Sequence, residues 1–252
     1  MTDQKTIAYI NLYAVLGTLE NLCEIVPEAS AMLTNTKPIS IGFEVKDGPS
    51  ATITFKNGRC RMEQGVNKCD VKLPFSSCEK FNGLIDGTVT PIPSKGFQHI
   101  KFLLKTFTPL TDLLAKNMRP SPEDLQDRTF FEQSTTLMLY TIAVAISQIA
   151  NNDKIGQFSA SHIVDGEIGF GIKDGPAVTI RAKNGRLVTI KKRCENPRAE
   201  MEFASMDLAR DLFDGKINAV ACIGMGAITM KGMISMIDNM NRLLDRVALY
   251  LA

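Results

Sequence analysis

Hydrophobic positions recur along the chain with helical and strand spacings, and the same order of spacings occurs twice. Near the start of the chain, apolar residues at helical spacing predict one buried helix face. This face consists of Leu12, Val15, Leu16, Leu19, Leu22 and Cys23. The corresponding face 127 residues later consists of Leu139, Ile142, Ala143, Ile146, Ile149 and Ala150. Each half of the chain is therefore expected to begin with an amphipathic helix.

A direct sequence repeat accompanies this pattern. Residues 41–59 read IGFEVKDGPSATITFKNGR and residues 168–186 read IGFGIKDGPAVTIRAKNGR, with thirteen of nineteen positions identical. Further along, an offset of 128 aligns Ser77, Leu84, Asp86 and Gly87 with Ser205, Leu212, Asp214 and Gly215. A repeat at a fixed spacing indicates a duplicated structural unit. We predict two domains, 1–122 and 123–252, joined by a linker that contains Pro120 and Pro122.

Each domain is predicted to contain the same elements in the same order. Alternating apolar residues from Ile41 to Val45 indicate a half-buried strand, and Asn57-Gly58 and Asn184-Gly185 are strong hairpin signals. A four-strand meander, a short helix, a fifth strand near residues 100–102 and 227–231, and a last helix complete each domain. The predicted fold class is α+β, with two tandem copies of a mostly antiparallel five-stranded sheet covered by helices.

Composition and charge exclude several classes of protein. The 29 Lys and Arg residues nearly balance 27 Asp and Glu residues, so the chain lacks the dense positive charge that nucleic-acid binding requires. A hydrophobic content of 44% excludes disorder. The most apolar run, residues 137–150, is shorter than the roughly 20 residues of a membrane span, and the start lacks the basic segment of a signal peptide. We therefore expect a soluble, cytoplasmic protein with no nucleic-acid partner.

The six cysteines give no metal or redox signature. Cys23, Cys60, Cys69, Cys78, Cys194 and Cys222 form no C-x-x-C pair. Buried free thiols are favoured over a metal or redox site. No metal and no cofactor are expected.

The pattern around the two hairpins resembles the sterol carrier protein type 2 family, once in each half. The resemblance rests on Lys-Asp-Gly-Pro and Lys-Asn-Gly, on Asp214-Gly215-Lys216, and most strongly on residues 219–240. There Gly232-Met233 follows a strand and opens a methionine-rich amphipathic helix. The resemblance implies an apolar cavity between sheet and helices for a sterol, fatty acid, fatty acyl-CoA or another lipid.

The first copy departs from this pattern after its short helix. Residues 90–97 read TPIPSKGF in place of the glycine-rich stretch, and Leu103 is aligned with Lys231. The last helix of this copy carries Leu103, Phe107, Leu110 and Leu114 in place of methionines. We interpret copy one as a degenerate domain with a filled cavity and a structural role.

A methionine cluster in copy two is the main candidate site. Flexible thioethers suit a surface that adapts to lipid tails of different shapes, although ordinary core packing gives the same stripe. The proposed cavity residues are Phe203, Met225, Met230, Met233, Met236, Ile237 and Met240. In the basic segment of residues 181–193, Arg181 and Lys183 share one strand face and could contact an anionic headgroup. The alternative is a solvated sheet edge protected by charge.

Catalysis has no support in the sequence. Neither His99 nor His162 belongs to a recognisable triad, and no nucleophile elbow, metalloprotease motif or phosphate-binding loop is present. We predict a non-catalytic lipid carrier that contacts membranes at most transiently, with its two domains packed as an intrachain pseudo-dimer. The alternatives are an interaction protein with closed cavities, or an accessory subunit that presents a lipid, such as a quinone precursor, to a separate enzyme.

Overall fold

The computed structural model describes residues 2–251, which divide into two compact units. The first unit ends at Asp127 and the second begins at Arg128. The boundary predicted from the sequence is at 122/123, near Pro120 and Pro122. A 3₁₀ turn at Asp124–Gln126 follows these prolines, and the long first helix of the second unit starts two residues later.

The first unit begins with an irregular helical segment that covers one face of its sheet. The segment runs through α1 (Gln4–Tyr9), a π-helical stretch (Ile10–Val15), a 3₁₀ turn (Leu16–Thr18) and α2 (Leu19–Ile25), and α3 (Pro27–Thr34) follows. The buried residues of this segment include most of the apolar face predicted from the sequence. The expected amphipathic helix is therefore present, although its backbone departs from regular α geometry in the middle.

Four strands form the sheet of the first unit. They are β1 (Ile39–Val45), β2 (Ser50–Lys56), β3 (Arg59–Gln64) and β4 (Val71–Phe75), in the spatial order β3-β2-β1-β4. Strand β4 pairs with β1 in parallel, so the predicted four-strand meander is wrong. Alternation and turn residues predict strands but not their partners, and the chain after β3 crosses to the far side of β1.

The remainder of the first unit is helical. The short helix α4 (Cys78–Ile85) is followed by a 3₁₀ turn (Phe97–His99), α5 (Ile100–Phe102), a second π-helical stretch (Leu103–Phe107) and α6 (Thr108–Met118). The predicted fifth strand at residues 100–102 is therefore wrong, because these residues are helical. On the edge of β4 that faces away from β1, the only strand pairing among the described residues is an isolated bridge between Lys72 and Lys95.

The second unit repeats the arrangement with a complete five-stranded sheet. Its elements are α7 (Arg128–Asn152), α8 (Lys154–Ser161), β5 (Gly166–Ile172), β6 (Ala177–Lys183), β7 (Arg186–Ile190), β8 (Ala199–Phe203), α9 (Met206–Phe213), α10 (Ala219–Gly224), β9 (Ile228–Gly232) and α11 (Ile234–Leu251). The sheet order is β7-β6-β5-β8-β9. Strand β8 is parallel to β5, and β9 is antiparallel to β8. The predicted α+β class is confirmed in both units.

Two pairs of backbone conformations relate the units to each other. The hairpin residues Asn57 and Gly58 have φ of 52° and 75°, and Asn184 and Gly185 have 50° and 71°, as a type I′ turn requires. The second pair is Gly96 and Gly232.

Gly96 and Gly232 occupy the same position in their respective units. Both have φ of 86°, and a Cβ atom on either would lie 2.2 Å from a backbone oxygen of the neighbouring strand, that of Asp70 or Arg198. Lys95 is therefore the equivalent of Lys231, and the predicted alignment of Leu103 with Lys231 is wrong. The glycines that follow α4 and α9, Gly87 and Gly215, precede these positions by nine and seventeen residues. The first unit is therefore eight residues shorter here, and the missing stretch corresponds to α10 and the residues beside it.

Candidate functional site

The candidate site lies between the inner face of the second sheet and α11. Gly232 ends β9 where only glycine fits, and the N–H of Met233 then donates to the carbonyl of Arg198 at 2.9 Å. This contact turns the chain from the sheet edge into α11. The helix packs against β8, α7 and α8, so its inner face is buried.

Aromatic and thioether side chains line the sheet side of this region. Phe203 pairs with Ile228 and Met201 with Met230 in the β8–β9 register, so all four project to the same face. The Phe203 ring packs edge-on against Phe170 and Phe213, with centroids 5.4 and 5.7 Å away. The helix side is supplied by the buried residues Met236, Ile237, Met240, Leu243 and Val247. The Nδ2 of Asn241 lies 4.0 Å from the Sδ of Met230 and brings the two layers into contact.

The structure brings together five of the seven predicted cavity residues. Phe203, Met236, Ile237 and Met240 are buried, and Met230 is half-buried. Met225 and Met233 lie before and after β9, at opposite ends of the strand, and are 76% and 38% exposed. The sequence cluster of methionines is therefore divided between an interior group and two exposed positions.

The two predicted headgroup residues lie on the solvent-exposed face of β6. The guanidinium of Arg181 donates to Oε1 of Glu167 at 2.7 and 2.9 Å, and the two residues are directly opposite each other on β6 and β5. The other oxygen of Glu167 accepts from the Cys194 thiol at 3.0 Å. These hydrogen bonds, that of Cys194 first, hold the pKa of Glu167 below its usual range. Lys183 is exposed and lies opposite Arg186 in the hairpin.

A buried polar clasp fixes the end of α11, and sequence analysis did not find it. Asp153 caps α8 through the N–H of Gly156 at 2.7 Å. Its other oxygen, Oδ2, accepts from Arg246 and from the hydroxyl of Tyr250, both at 2.7 Å. Burial favours the neutral carboxyl, but the three hydrogen bonds outweigh it and lower the pKa of Asp153. A helix-capping aspartate was the one available signal, and it does not reveal a partner 93 residues away.

A second buried arginine holds α9 against α7. Arg210 donates to both oxygens of Asp214 at 3.0 and 3.1 Å and to the Ser134 hydroxyl at 2.8 Å. Lys216 also lies 3.0 Å from Asp214. The Asp-Gly-Lys sequence noted for the family resemblance therefore belongs to a structural ion-pair network at the end of α9.

The two histidines do not assemble a reactive centre. The Nδ1 of His162 lies 2.8 Å from the carbonyl of Phe158, and its ring packs on the Phe158 ring at 4.6 Å. Across residues 2–251, no group of three or more His, Cys, Asp or Glu side chains is arranged to hold a metal ion. Over the same residues, no helix combines the length and the hydropathy that crossing a bilayer would need.

Solved structures similar to this chain include sterol carrier domains. The sterol carrier protein domain 2 of Helicoverpa armigera is 20% identical, covers 44% of this chain and 88% of its own, and has a TM-score of 0.36. The ubiquinone synthesis protein UbiJ-SCP2 is 12% identical over 44% of this chain and 96% of its own, with a TM-score of 0.34. A sec-alkylsulfatase, Pisa1 from Pseudomonas sp., is 10% identical, covers 57% of this chain and 28% of its own, and has a TM-score of 0.26.

No protein-family model and no curated protein matches the chain. The matched structures include proteins of the family that the sequence pattern resembles. They identify no ligand for this chain.

Proposed function

We propose that this protein is a non-catalytic lipid carrier. Its second unit would hold a fatty acid, a fatty acyl-CoA, a sterol-like molecule or another hydrophobic ligand between β8, β9 and α11. The six free cysteines, five of them buried, favour a reducing compartment, and we propose a cytoplasmic location on that basis.

The observation that carries this proposal is a difference in side chains between the two units. In the first unit, phenylalanine rings fill the space between sheet and helices, with neighbouring centroids 5.1 to 6.4 Å apart. They are Phe43, Phe55, Phe75, Phe81, Phe102 and Phe107. The second unit keeps phenylalanine at two of these positions, Phe170 and Phe203, but has Ala182 and Ala209 in place of Phe55 and Phe81. In the second unit the facing layers carry Met201, Met230, Met236 and Met240. Aromatic rings are rigid, whereas unbranched thioethers change rotamer readily and can make room for a ligand.

The start of α11 offers a route to this interior. Met233 and Ile234 are exposed at the first turn, whereas Met236 and Met240 are buried on the same helix. Met233 precedes Met236 and Met240 by three and seven residues, so at helical spacing the three side chains follow one side of the helix from its exposed start toward the methionine layer. Burial of a lipid tail there would gain about 0.8 kcal/mol for each CH₂ group.

A second candidate function is an interaction protein whose interior is closed. It is favoured by the near-complete burial of Phe203, Met236 and Met240. A third is an accessory subunit that presents a lipid, such as a quinone precursor, to an enzyme. The carrier and the accessory subunit both require lipid uptake, and the interaction protein does not.

Uptake of a fluorescent fatty acid by the purified protein tests the carrier proposal. Met236→Glu should abolish uptake, because it places a carboxylate on the buried wall of the site. The matched control is Leu249→Glu, which adds the same charge to an exposed position of the same helix and should leave uptake unchanged.

Because Met236→Glu could also unfold the second unit, Met240→Phe gives an independent test. This substitution keeps the site apolar but fills it, and it should weaken uptake while thermal unfolding stays within a few degrees of wild type. Unchanged affinity in both variants would refute the site. Absence of uptake by the wild-type protein would refute the carrier proposal and favour the closed interaction protein.

A further inference from the structure

An open groove lies beside β4 in the first unit, far from any residue of the proposed lipid site in sequence. Its volume is about 670 Å³, within the range of small-molecule sites. Pro74, Phe75, Val89 and Ile92 supply its apolar surface, and Lys46 and Lys80 supply its basic groups. Phe75 also belongs to the phenylalanine cluster, so the groove reaches the edge of the core.

Two prolines explain why the edge of β4 beside this groove is not covered by a fifth strand. Since Gly96 is equivalent to Gly232, Pro91 and Pro93 stand where the second unit has Ala227 and Thr229. A proline has no N–H to donate to a neighbouring strand. On this edge of β4, the described pairing therefore ends at Lys72. The N–H of Lys72 donates to the carbonyl of Lys95, and its carbonyl accepts from the N–H of Ser94.

The second unit shows what normally covers this edge. There Ile228 pairs with Phe203 and is 3% exposed, and the N–H of Ala204 donates to Ala227 at 2.9 Å. The equivalent residue of the first unit, Ile92, is 74% exposed. The loss of the β9 pairing thus leaves an isoleucine in solvent and the edge of β4 uncovered at Pro74 and Phe75.

The rim of the groove is positively charged. The remaining ionic side chain in the lining, Glu44, is already paired with Lys72 at 2.8 Å. Neither Lys46 nor Lys80 has an ion-pair partner within residues 2–251. An anionic group could therefore contact two unengaged ammonium groups while an attached chain covers Ile92 and Pro74.

We propose that this groove is a binding site for an amphipathic organic anion, a carboxylate or phosphate ester with a short apolar chain. A peptide strand fits less well, because Pro74 offers no N–H at the centre of the exposed edge. The site is independent of the lipid carrier function, since it uses no residue of β8, β9 or α11. It also gives the first unit a role beyond structural support.

The test is a titration of the whole protein with decanoate below its micelle concentration, followed by methyl NMR. The methyl signals of Val89 and Ile92 report on the groove, and those of Ile237 and Val247 report separately on the second unit. Decanoate should shift the Val89 and Ile92 signals, and decyltrimethylammonium, with the same tail and opposite charge, should bind at least about fivefold more weakly.

Charge variants locate the site further. The double variant Lys46→Ala with Lys80→Ala should weaken decanoate binding about tenfold, because two exposed charge contacts are lost. Lys173→Ala removes the lysine at the position equivalent to Lys46, beside an edge that β9 covers, and should change nothing.

Three results would overturn the groove proposal: no shift at Ile92 in the wild-type protein, equal binding of the cationic amphiphile, or equal effects of the Lys46 and Lys80 double variant and the Lys173 variant. Shifts confined to Ile237 and Val247 would refute the groove while supporting the carrier function. Shifts confined to Val89 and Ile92 would support the groove, and the carrier function would then be decided by the uptake measurement.

Discussion

Removal of Arg246 should destabilise the second unit more than any substitution of an exposed ion pair on the same helix. The side chains of Arg246 and Asp153 are only 12% and 6% exposed, so Arg246→Ala leaves a buried carboxylate with two neutral donors, Tyr250 and the Gly156 N–H. Breaking a buried pair from one side costs about 3 to 5 kcal/mol. The buried Nε of Arg246, which has no hydrogen-bond partner among the described residues, places the expected loss near the lower value, about 3 kcal/mol.

Urea denaturation followed by circular dichroism measures this loss, with hydrogen exchange of α11 amides assigning it to the second unit. The matched control is Arg242→Ala, which breaks an exposed pair with Asp238 one turn away and should cost at most about 0.5 kcal/mol. A loss below about 1 kcal/mol for Arg246→Ala, or equal losses for the two variants, would refute the assigned role of the clasp.

The clasp also predicts a pH dependence. Folding lowers the pKa of Asp153 below its ordinary value of about 3.9, so the stabilisation is complete above that value and is lost as pH falls through the folded-state pKa. In Arg246→Ala the main charge that lowers this pKa is gone and burial raises it. Protonation of Asp153 therefore no longer removes stability from the variant, and the difference in unfolding free energy between the wild-type protein and the variant should narrow as pH falls below about 4. Parallel stability curves from pH 7 to pH 3 would contradict this.

Three further predictions concern other parts of the chain. Gly232→Ala should lower the unfolding free energy by about 1 to 3 kcal/mol more than Gly226→Ala does. Both glycines have positive φ, but only Gly232 is crowded by Arg198. Equal unfolding free energies for the two variants would refute the close contact. Arg210→Met should lower the unfolding free energy of the second unit by about 3 kcal/mol, because the substitution leaves Asp214 with Lys216 alone. The control is Arg242→Met, which breaks an exposed pair. A change within about 0.5 kcal/mol for Arg210→Met, roughly that of an exposed pair, would refute the role of Arg210. Burial and the Glu167 carboxylate raise the pKa of the Cys194 thiol. Glu167→Gln should therefore increase the rate at which iodoacetamide alkylates Cys194 at pH 8, measured by mass spectrometry. An unchanged rate would show that the carboxylate does not control the reactivity of this thiol.

The repeat made most of the elements predictable before their structure was considered. The spacing of 127 residues that aligns Asn57-Gly58 with Asn184-Gly185 also relates β1 to β5, β2 to β6 and α3 to α8. The one-residue shift to 128 relates β4 to β8 and α4 to α9. Turn chemistry and helix caps depend on neighbouring residues, so a single sequence is enough to locate them.

Strand partners and distant polar contacts were not predictable in this way. The parallel pairing of β4 with β1 depends on how the chain crosses the sheet, which no local pattern records. The alignment of Leu103 with Lys231 failed because the first unit is shorter before Gly96, and only the crowding of that glycine against Asp70 identifies its true equivalent.

The candidate site was predictable in part for the same reason. Helical spacing correctly placed Met236, Ile237 and Met240 on one buried face of α11. Met225 is close to them in sequence but is separated by the length of β9. The Asp153–Arg246 clasp joins residues with no shared sequence pattern. The groove depends on Pro91 and Pro93, which prevent a fifth strand from pairing with β4.

Native mass spectrometry of the purified protein, with organic extraction of whatever remains bound, tests the lipid carrier function most directly. The account predicts a bound molecule of about a few hundred daltons that is released on denaturation and is absent from the Met236→Glu variant. A wild-type protein that is empty in this measurement, and stays empty after incubation with fatty acids, would contradict the central claim.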